Sequence, residues 1–146
     1  MSENFVDINN IAKRWNGQLG VEDISLNFAK GSFVALLGPS GCGKSTTLRL
    51  LSGLEQADQG TIKIDGVDVT DKPPSERNLS MVFQSYALFP HLTVKENVIF
   101  GLKVRKTPPK ERQEKLMRAL EITGLVGFEN RKPAELSGGQ RQRVAL

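Results

Sequence analysis

Apolar and polar positions alternate through the opening of the chain in a way that predicts strands. Phe5, Ile8 and Ile11 outline a weakly patterned first strand, and Ile24, Leu26 and Phe28 recur at every second position before the Lys30-Gly31 turn. Ser32 to Leu37 then turns continuously apolar, the pattern of a strand buried on both faces in the middle of a parallel sheet. A glycine-rich stretch follows, and Leu48, Leu51 and Leu54 change to helical spacing, predicting a helix from Lys44 to about Leu54. Ile62 and Ile64, then Val67 and Val69, alternate on either side of Asp65-Gly66 and predict a hairpin. Leu79 to Phe83 reads as one more strand. Thr93 with Glu96 forms a capping box opening a short helix to about Gly101, and Thr107-Pro108 starts a longer helix, with Leu116 and Leu120 on one face, ended near Gly124. Ser137 begins a last helix, and no internal repeat, low-complexity segment or long linker interrupts the order.

This order is that of an α/β chain: strand, glycine loop and helix, with antiparallel structure beside a parallel core. The length of 146 residues, with 38% hydrophobic and 25% charged, suits one compact domain. The longest apolar stretch, Phe33 to Leu37, falls far short of the roughly 18 to 20 residues that span a bilayer, and no signal-peptide core opens the chain. A soluble, cytosolic protein is expected. Cys42 is the single cysteine and has no internal disulfide partner. The formal charge of +4 is too small an excess to indicate nucleic acid, and the basic run Lys103 to Lys115 is broken by Glu111 and Glu114, as on a solvated helix face.

Gly38-Pro39-Ser40-Gly41-Cys42-Gly43-Lys44-Ser45 is a complete G-x-x-x-x-G-K-[ST] phosphate loop in its proper setting between a strand and a helix. Glycines let the backbone wrap a phosphate so that amides and the positive end of the helix face one anion, with Thr46 in the first turn. Lys44 adds a charge for the β- and γ-phosphates of ATP, and Ser45 a hydroxyl for Mg²⁺. A second anion cradle is predicted at Ser137-Gly138-Gly139-Gln140, where an S-x-x-Q capping box opens a helix with no bulky side chain in the way; read alone it is also an ordinary capped helix.

Leu136-Ser137-Gly138-Gly139-Gln140 resembles the ABC signature motif, and with the phosphate loop it identifies the ABC ATPase family, importer type, over essentially the whole chain. The resemblance implies a P-loop α/β domain with an antiparallel β portion and the start of a helical subdomain, divided near residue 90. It implies two ATPase subunits packed head to tail, the phosphate loop of one and the signature of the other enclosing one ATP, and an enzyme that hydrolyses ATP to drive solute uptake. Gln84, 40 residues after Lys44, resembles the Q-loop glutamine that reaches Mg²⁺ and the attacking water. The apolar loop after it would dock an integral membrane permease, placing the subunit peripherally on the cytoplasmic side of the membrane. Trp15, 23 residues before Gly38, stands where the family stacks an aromatic on adenine, although a lone Trp also serves packing. His91 reads as structural. The family's Walker B aspartate, catalytic glutamate, D-loop and switch histidine would follow Leu146, so the chain reads as an N-terminal fragment that alone does not turn over. The alternatives are a non-transport ABC ATPase acting on nucleic acid or ribosomes, and a nucleotide-binding module without turnover.

Overall fold

The structure, a computed structural model, describes residues 4–146. They fall into two compact units, one ending at Met81 and the other beginning at Val82. The first is built on an antiparallel sheet. Strands β1 (Asn4–Trp15) and β2 (Gln18–Ala29) form a long hairpin, and β3 (Gln59–Ile64) pairs with the other edge of β1. Strand β4 (Val67–Asp68) completes a four-stranded sheet of order β2-β1-β3-β4. Both hairpin turns have positive φ at their central residues, 50° and 79° at Asn16-Gly17, 50° and 75° at Asp65-Gly66. This geometry matches the twist of the flanking strands. Only the second of these turns is foreseen by the apolar alternation.

Val6, Ile8 and Ile11 of β1, Val21 of β2, Ile62 and Ile64 of β3, and Val69 form one buried cluster with Leu50 of helix α1 (Lys44–Ser52). Burying an aliphatic side chain is worth about 1.5–3 kcal/mol, so this cluster holds α1 to the sheet. The predicted strand Ser32–Leu37 is not formed. The segment is irregular, with Phe33 96% and Leu37 90% exposed. Leu79–Phe83 likewise forms no strand. A strand apolar on both faces is stable between parallel neighbours under covering layers, and the described residues pair only in the antiparallel sheet.

The far end of α1 is secured by Arg77, a residue whose role the sequence pattern does not reveal. It is buried, and its Nε donates to Lys72 O at 2.8 Å, Nη1 to Leu50 O at 2.8 Å and Leu51 O at 3.0 Å, and Nη2 to Thr70 O at 2.8 Å. It lies against Gly53, whose left-handed conformation ends the helix. Burial pushes the guanidinium below its usual pKa, and the Asp71 carboxylate offsets part of this. A cation that satisfies the last carbonyls of a helix also complements its dipole.

The second unit comprises α2 (Val94–Val104), α3 (Pro109–Thr123) and α4 (Gly138–Ala145) around Val94, Ile99, Leu116, Leu120, Leu125, Leu136 and Val144. The predicted capping box is formed: Thr93 N donates to Glu96 Oε2 at 2.8 Å and Glu96 N to Thr93 Oγ1 at 3.3 Å. The first amides of α2 donate to Arg131 O and Glu129 O at 2.8 and 3.0 Å, tying the approach to α4 onto α2. Gly124, at φ 62°, ends α3 as expected. Asn97 locks the entry loop, its Oδ1 accepting from Phe89 N at 2.9 Å and its Nδ2 donating to the carbonyls of Phe89, Leu92 and Thr93.

Two outcomes follow for stability. Arg77→Ala strands carbonyls in a buried setting, where each unsatisfied group costs about 1–3 kcal/mol, and is expected to lower the urea midpoint by the equivalent of about 3 kcal/mol. Arg77→Lys, lacking the planar fork, recovers less than half of that. For Glu96, hydrogen bonds from the Thr93 amide and then its hydroxyl hold the carboxyl below the ordinary carboxylate range. Its contribution is therefore present above the unfolded pKa of about 4.3 and lost as pH falls through the lower folded value. The gap in urea midpoint between wild type and Glu96→Gln is expected to shrink between pH 7 and pH 3.

Candidate functional site

The phosphate loop enters α1 through Gly43, its N-cap, at φ 92°. Two demands select glycine here. The left-handed backbone is one, and the other is contact with β2: a Cβ on Gly43 would run into Val21 Cγ1 and stand 3.6 Å from Gly20 O. With no capping side chain at Gly43, the amides of Lys44, Ser45 and Thr46 are the first of the helix and lack intrahelical acceptors. The ladder begins with Thr47 N on Gly43 O at 2.8 Å, which the Thr47 hydroxyl doubles at 2.9 Å.

Lys44 Nζ donates to Gly38 O and Pro39 O, both at 2.7 Å, and lies 3.4 Å from Cys42 Sγ. The ammonium therefore sits within the arc of the loop, where its charge and the bare amides face the same space. Pro39, Ser40, Gly41, Cys42 and Ser45 are exposed, and Thr46 is half-buried. An open cleft of about 350 Å³ beside the loop runs between Asp23 to Leu26 of β2 and Ala35 to Leu37, with Gly43, Lys44 and Thr47 also lining it.

Trp15, at the end of β1, is 42% exposed. Its indole lies on Gly20: a Cβ there would meet Trp15 Cε3 at 2.7 Å and Lys13 O at 2.9 Å. Gly20 and Val21 are also the residues on which Gly43 rests, so one step of β2 carries the ring and the phosphate loop together. The ring keeps exposed area in addition to this packing contact.

In the second unit, Gln84 is exposed in a turn closed by Tyr86 N on Phe83 O at 2.9 Å. Tyr86 and Ala87 follow with φ of 65° and 50°. Consecutive left-handed residues other than glycine cost about 1 kcal/mol or more each, the kind of strain that collects at functional segments. Further along, the ring of Phe89 meets Phe100 at 4.4 Å and the edge of His91 at 6.1 Å, a packing role for the histidine.

Ser137 is the N-cap of α4: its N–H donates to Gln140 Oε1 at 2.8 Å and its Oγ accepts from Gln140 N at 3.3 Å. Arg141 Nη1 donates to Leu136 O at 2.7 Å, fixing the residue before the cap. A Cβ on Gly138 or Gly139 would meet nothing within 4 Å. The first turn of α4 is thus rigidly capped and bare on its outside.

Residues 21–146 match the family described as ABC transporter. The spermidine/putrescine import ATP-binding protein PotA of Clostridium novyi is 47% identical over 146 residues, 100% of this chain and 42% of that protein. The putrescine transport ATP-binding protein PotG of Escherichia coli is 52% identical over 142 residues, 97% of this chain and 38% of that one. The dimeric post-hydrolysis structure of the ATP-binding cassette MJ0796 bound to ADP and Pi superposes with a TM-score of 0.84 at 34% identity, covering 96% of this chain and 66% of that chain. The fold is that of the P-loop ATPases of the ABC type. The chain belongs to the ABC transporter family, and it spans about two fifths of the length of the curated relatives it matches.

Lys44→Ala removes the ties to Gly38 O and Pro39 O together with the charge inside the arc. Since hydrogen bonds to charged groups are worth about 1.5–3 kcal/mol, ATP affinity measured by calorimetry is expected to fall at least about tenfold, with an unchanged far-ultraviolet spectrum. Undiminished affinity would remove Lys44 from the site.

Proposed function

We propose that the chain is the nucleotide-binding part of the ATPase subunit of an ABC importer. The observation that carries this reading is the phosphate loop itself, with Gly43 seated on β2, Lys44 within the arc, and the first amides of α1 unclaimed by protein groups. These features fit a nucleoside triphosphate. Helix amides and an ammonium supply anion contacts. Gly38, Pro39, Ser40, Gly41, Cys42, Gly43, Lys44, Ser45 and Thr46 hold its phosphates in this proposal, and Trp15 offers its exposed area to the base. The Ser45 hydroxyl and the Gln84 amide carbonyl are hard oxygen donors, the class that suits Mg²⁺. When bound, Mg²⁺ would neutralise charge on the phosphate oxygens.

Ser137, Gly138, Gly139 and Gln140 are assigned to the nucleotide of a second ATPase subunit. The capped, bare first turn of α4 supports this, because nothing in the chain's own packing calls for glycine there. ATP then favours the closed pair and hydrolysis releases it, an equilibrium biased by a ligand that binds one state better. Transmission to integral membrane permease subunits is assigned to the apolar segment after Gln84. It places the subunit peripherally at the cytoplasmic face of the membrane; no helix among the described residues is long and apolar enough to cross it. The relatives' solutes, spermidine/putrescine, Fe(3+) and sulfate/thiosulfate, differ at similar identities of 47%, 49% and 53%, so this stretch of chain does not define the transported solute.

In the complete subunit, Ser137→Arg is expected to preserve ATP binding by monomers and to abolish ATP-driven dimerisation in sedimentation experiments, because it fills the space outside α4. Mixing it with Lys44→Ala subunits is expected to restore part of the association, since one of the paired sites then keeps both elements intact. Hydrolysis by monomers would refute the shared site.

A further inference from the structure

Beyond its pairing with β3, the end of β1 is held by a side chain. The β1–β3 ladder stops at Ala12 opposite Gln59, and from there Lys13, Arg14 and Trp15 pair only with β2, opposite Val21, Leu19 and Gln18. The β1–β2 register is irregular between Ile11 and Lys13 and again between Lys13 and Arg14. A two-stranded ribbon of this kind is marginal in water. Asp58, the residue before Gln59, stands where β3 would have continued. Its Oδ2 accepts from Arg14 N at 2.7 Å, its Oδ1 from Lys13 Nζ at 3.0 Å, and its own N–H donates to Ala12 O at 2.9 Å. Lys13 Nζ is shared with Glu55 at 3.3 Å, in a pocket that leaves its side chain 13% exposed.

We propose that Asp58 is a positioning residue for Trp15, setting the distance between the base platform and the phosphate loop. The proposal rests on the reading of Trp15 as the contact for adenine. Asp58 belongs to the connection that leaves the C-terminal end of α1, whose N-terminal end is the phosphate loop. The same carboxylate grips the amide adjacent to Trp15. The platform is thereby referenced to α1 by this clamp as well as by the contact of the ring with Gly20. The Arg14 amide, and after it the Lys13 ammonium, hold the Asp58 carboxyl below its ordinary range. The clamp is therefore ionised at neutral pH. Arg14 adds an ion pair to Glu22 across the ribbon.

A platform residue and its support affect a ligand with a base and leave one without a base untouched. In the complete subunit, affinities for ATP and for inorganic tripolyphosphate are measured for wild type, Trp15→Ala, Asp58→Ala and the double variant. Base stacking of this kind corresponds to a loss of about five- to 150-fold on removing the aromatic, so Trp15→Ala is expected to weaken ATP within that range and leave tripolyphosphate unchanged. Asp58→Ala is expected to weaken ATP at least threefold with tripolyphosphate unchanged, to red-shift the Trp15 emission, read as the difference between each protein and its Trp15→Ala counterpart, and to add nothing in the Trp15→Ala background. If Asp58→Ala does not fold, Asp58→Asn retains an acceptor for Arg14 N and loses the negative charge that pairs with Lys13. It is expected to give a smaller, equally selective loss of at least about twofold, a shift that calorimetry resolves. Selective loss in Trp15→Ala with no loss in the Asp58 variants, or parallel loss of both ligands in them, would overturn the positioning role alone. Equal behaviour of ATP and tripolyphosphate in Trp15→Ala would overturn the base-platform reading, and the Asp58 proposal with it.

Discussion

Helix α1 is pinned at both ends, by close packing at its start and by hydrogen bonds to backbone at its end, and the geometry of the phosphate loop depends on that. At its start Gly43 lies so close to the Val21 side chain that a Cβ would collide with it. At its end Arg77 takes up the carbonyls of Leu50 and Leu51 while bonding Thr70 and Lys72, so helix and sheet connection share one buried cation. The charge placement is coherent: a guanidinium at the negative end of the helix dipole leaves the positive end, with its bare amides, to the loop. Each contact fixes a direction, which aliphatic packing of Leu50 alone would leave free.

Held in this way, the loop has one anchored limb and one limb that belongs to no ladder. Gly43 and the residues after it are fixed by β2 and α1, whereas Gly38 follows the irregular, exposed segment Ser32 to Leu37. Lys44 joins the two, its ammonium reaching from the first turn of α1 to Gly38 O and Pro39 O. The same side chain thus gives the loop its curvature and brings charge to the space inside it. An anion entering that space meets an ammonium whose present partners are neutral carbonyls, and exchanging these for phosphate oxygens trades weaker hydrogen bonds for charge-assisted ones.

What could be read from the sequence was what is local. The capping boxes Thr93/Glu96 and Ser137/Gln140, the stop at Gly124 and the Asp65-Gly66 turn each involve partners within a few residues, and all form as expected. The apolar run Phe33 to Leu37 shows the limit of the same method. Composition announces that a segment requires burial, but a strand exists only where another strand accepts its hydrogen bonds, and no periodicity encodes the partner. Arg77, Asp58 and Asn97 escaped for a related reason: their chief partners are main-chain groups, some of them far away in the sequence, as Leu50 O is from Arg77. A backbone carbonyl has no identity in the sequence. Of the site, the motif residues were legible by spacing, whereas the support that Trp15 receives from Gly20 and the contact of Gly43 with β2 were visible only once the strands were placed.

Glycine gives the structure's most informative contrast. At Gly43 and Gly20 a methyl group would collide with Val21 and with the Trp15 ring, so the residue is explained by the chain's own packing. Gly138 and Gly139 have no such explanation, because an added Cβ would stand in open space and neither has the positive φ that would exclude one. Glycine within a helix costs up to about 1 kcal/mol relative to alanine. A cost accepted at consecutive positions without an internal reason points to an external one: something must approach the first turn of α4 more closely than a methyl group allows. The cap geometry specifies its charge. Ser137 and Gln140 satisfy each other's amides, while those of Gly138 and Gly139, first in the helix, lack intrahelical acceptors, an arrangement that suits an anion. A capped, bare first turn of this kind, on a chain whose first unit carries the phosphate loop, is the physical basis for proposing that it serves a partner's nucleotide.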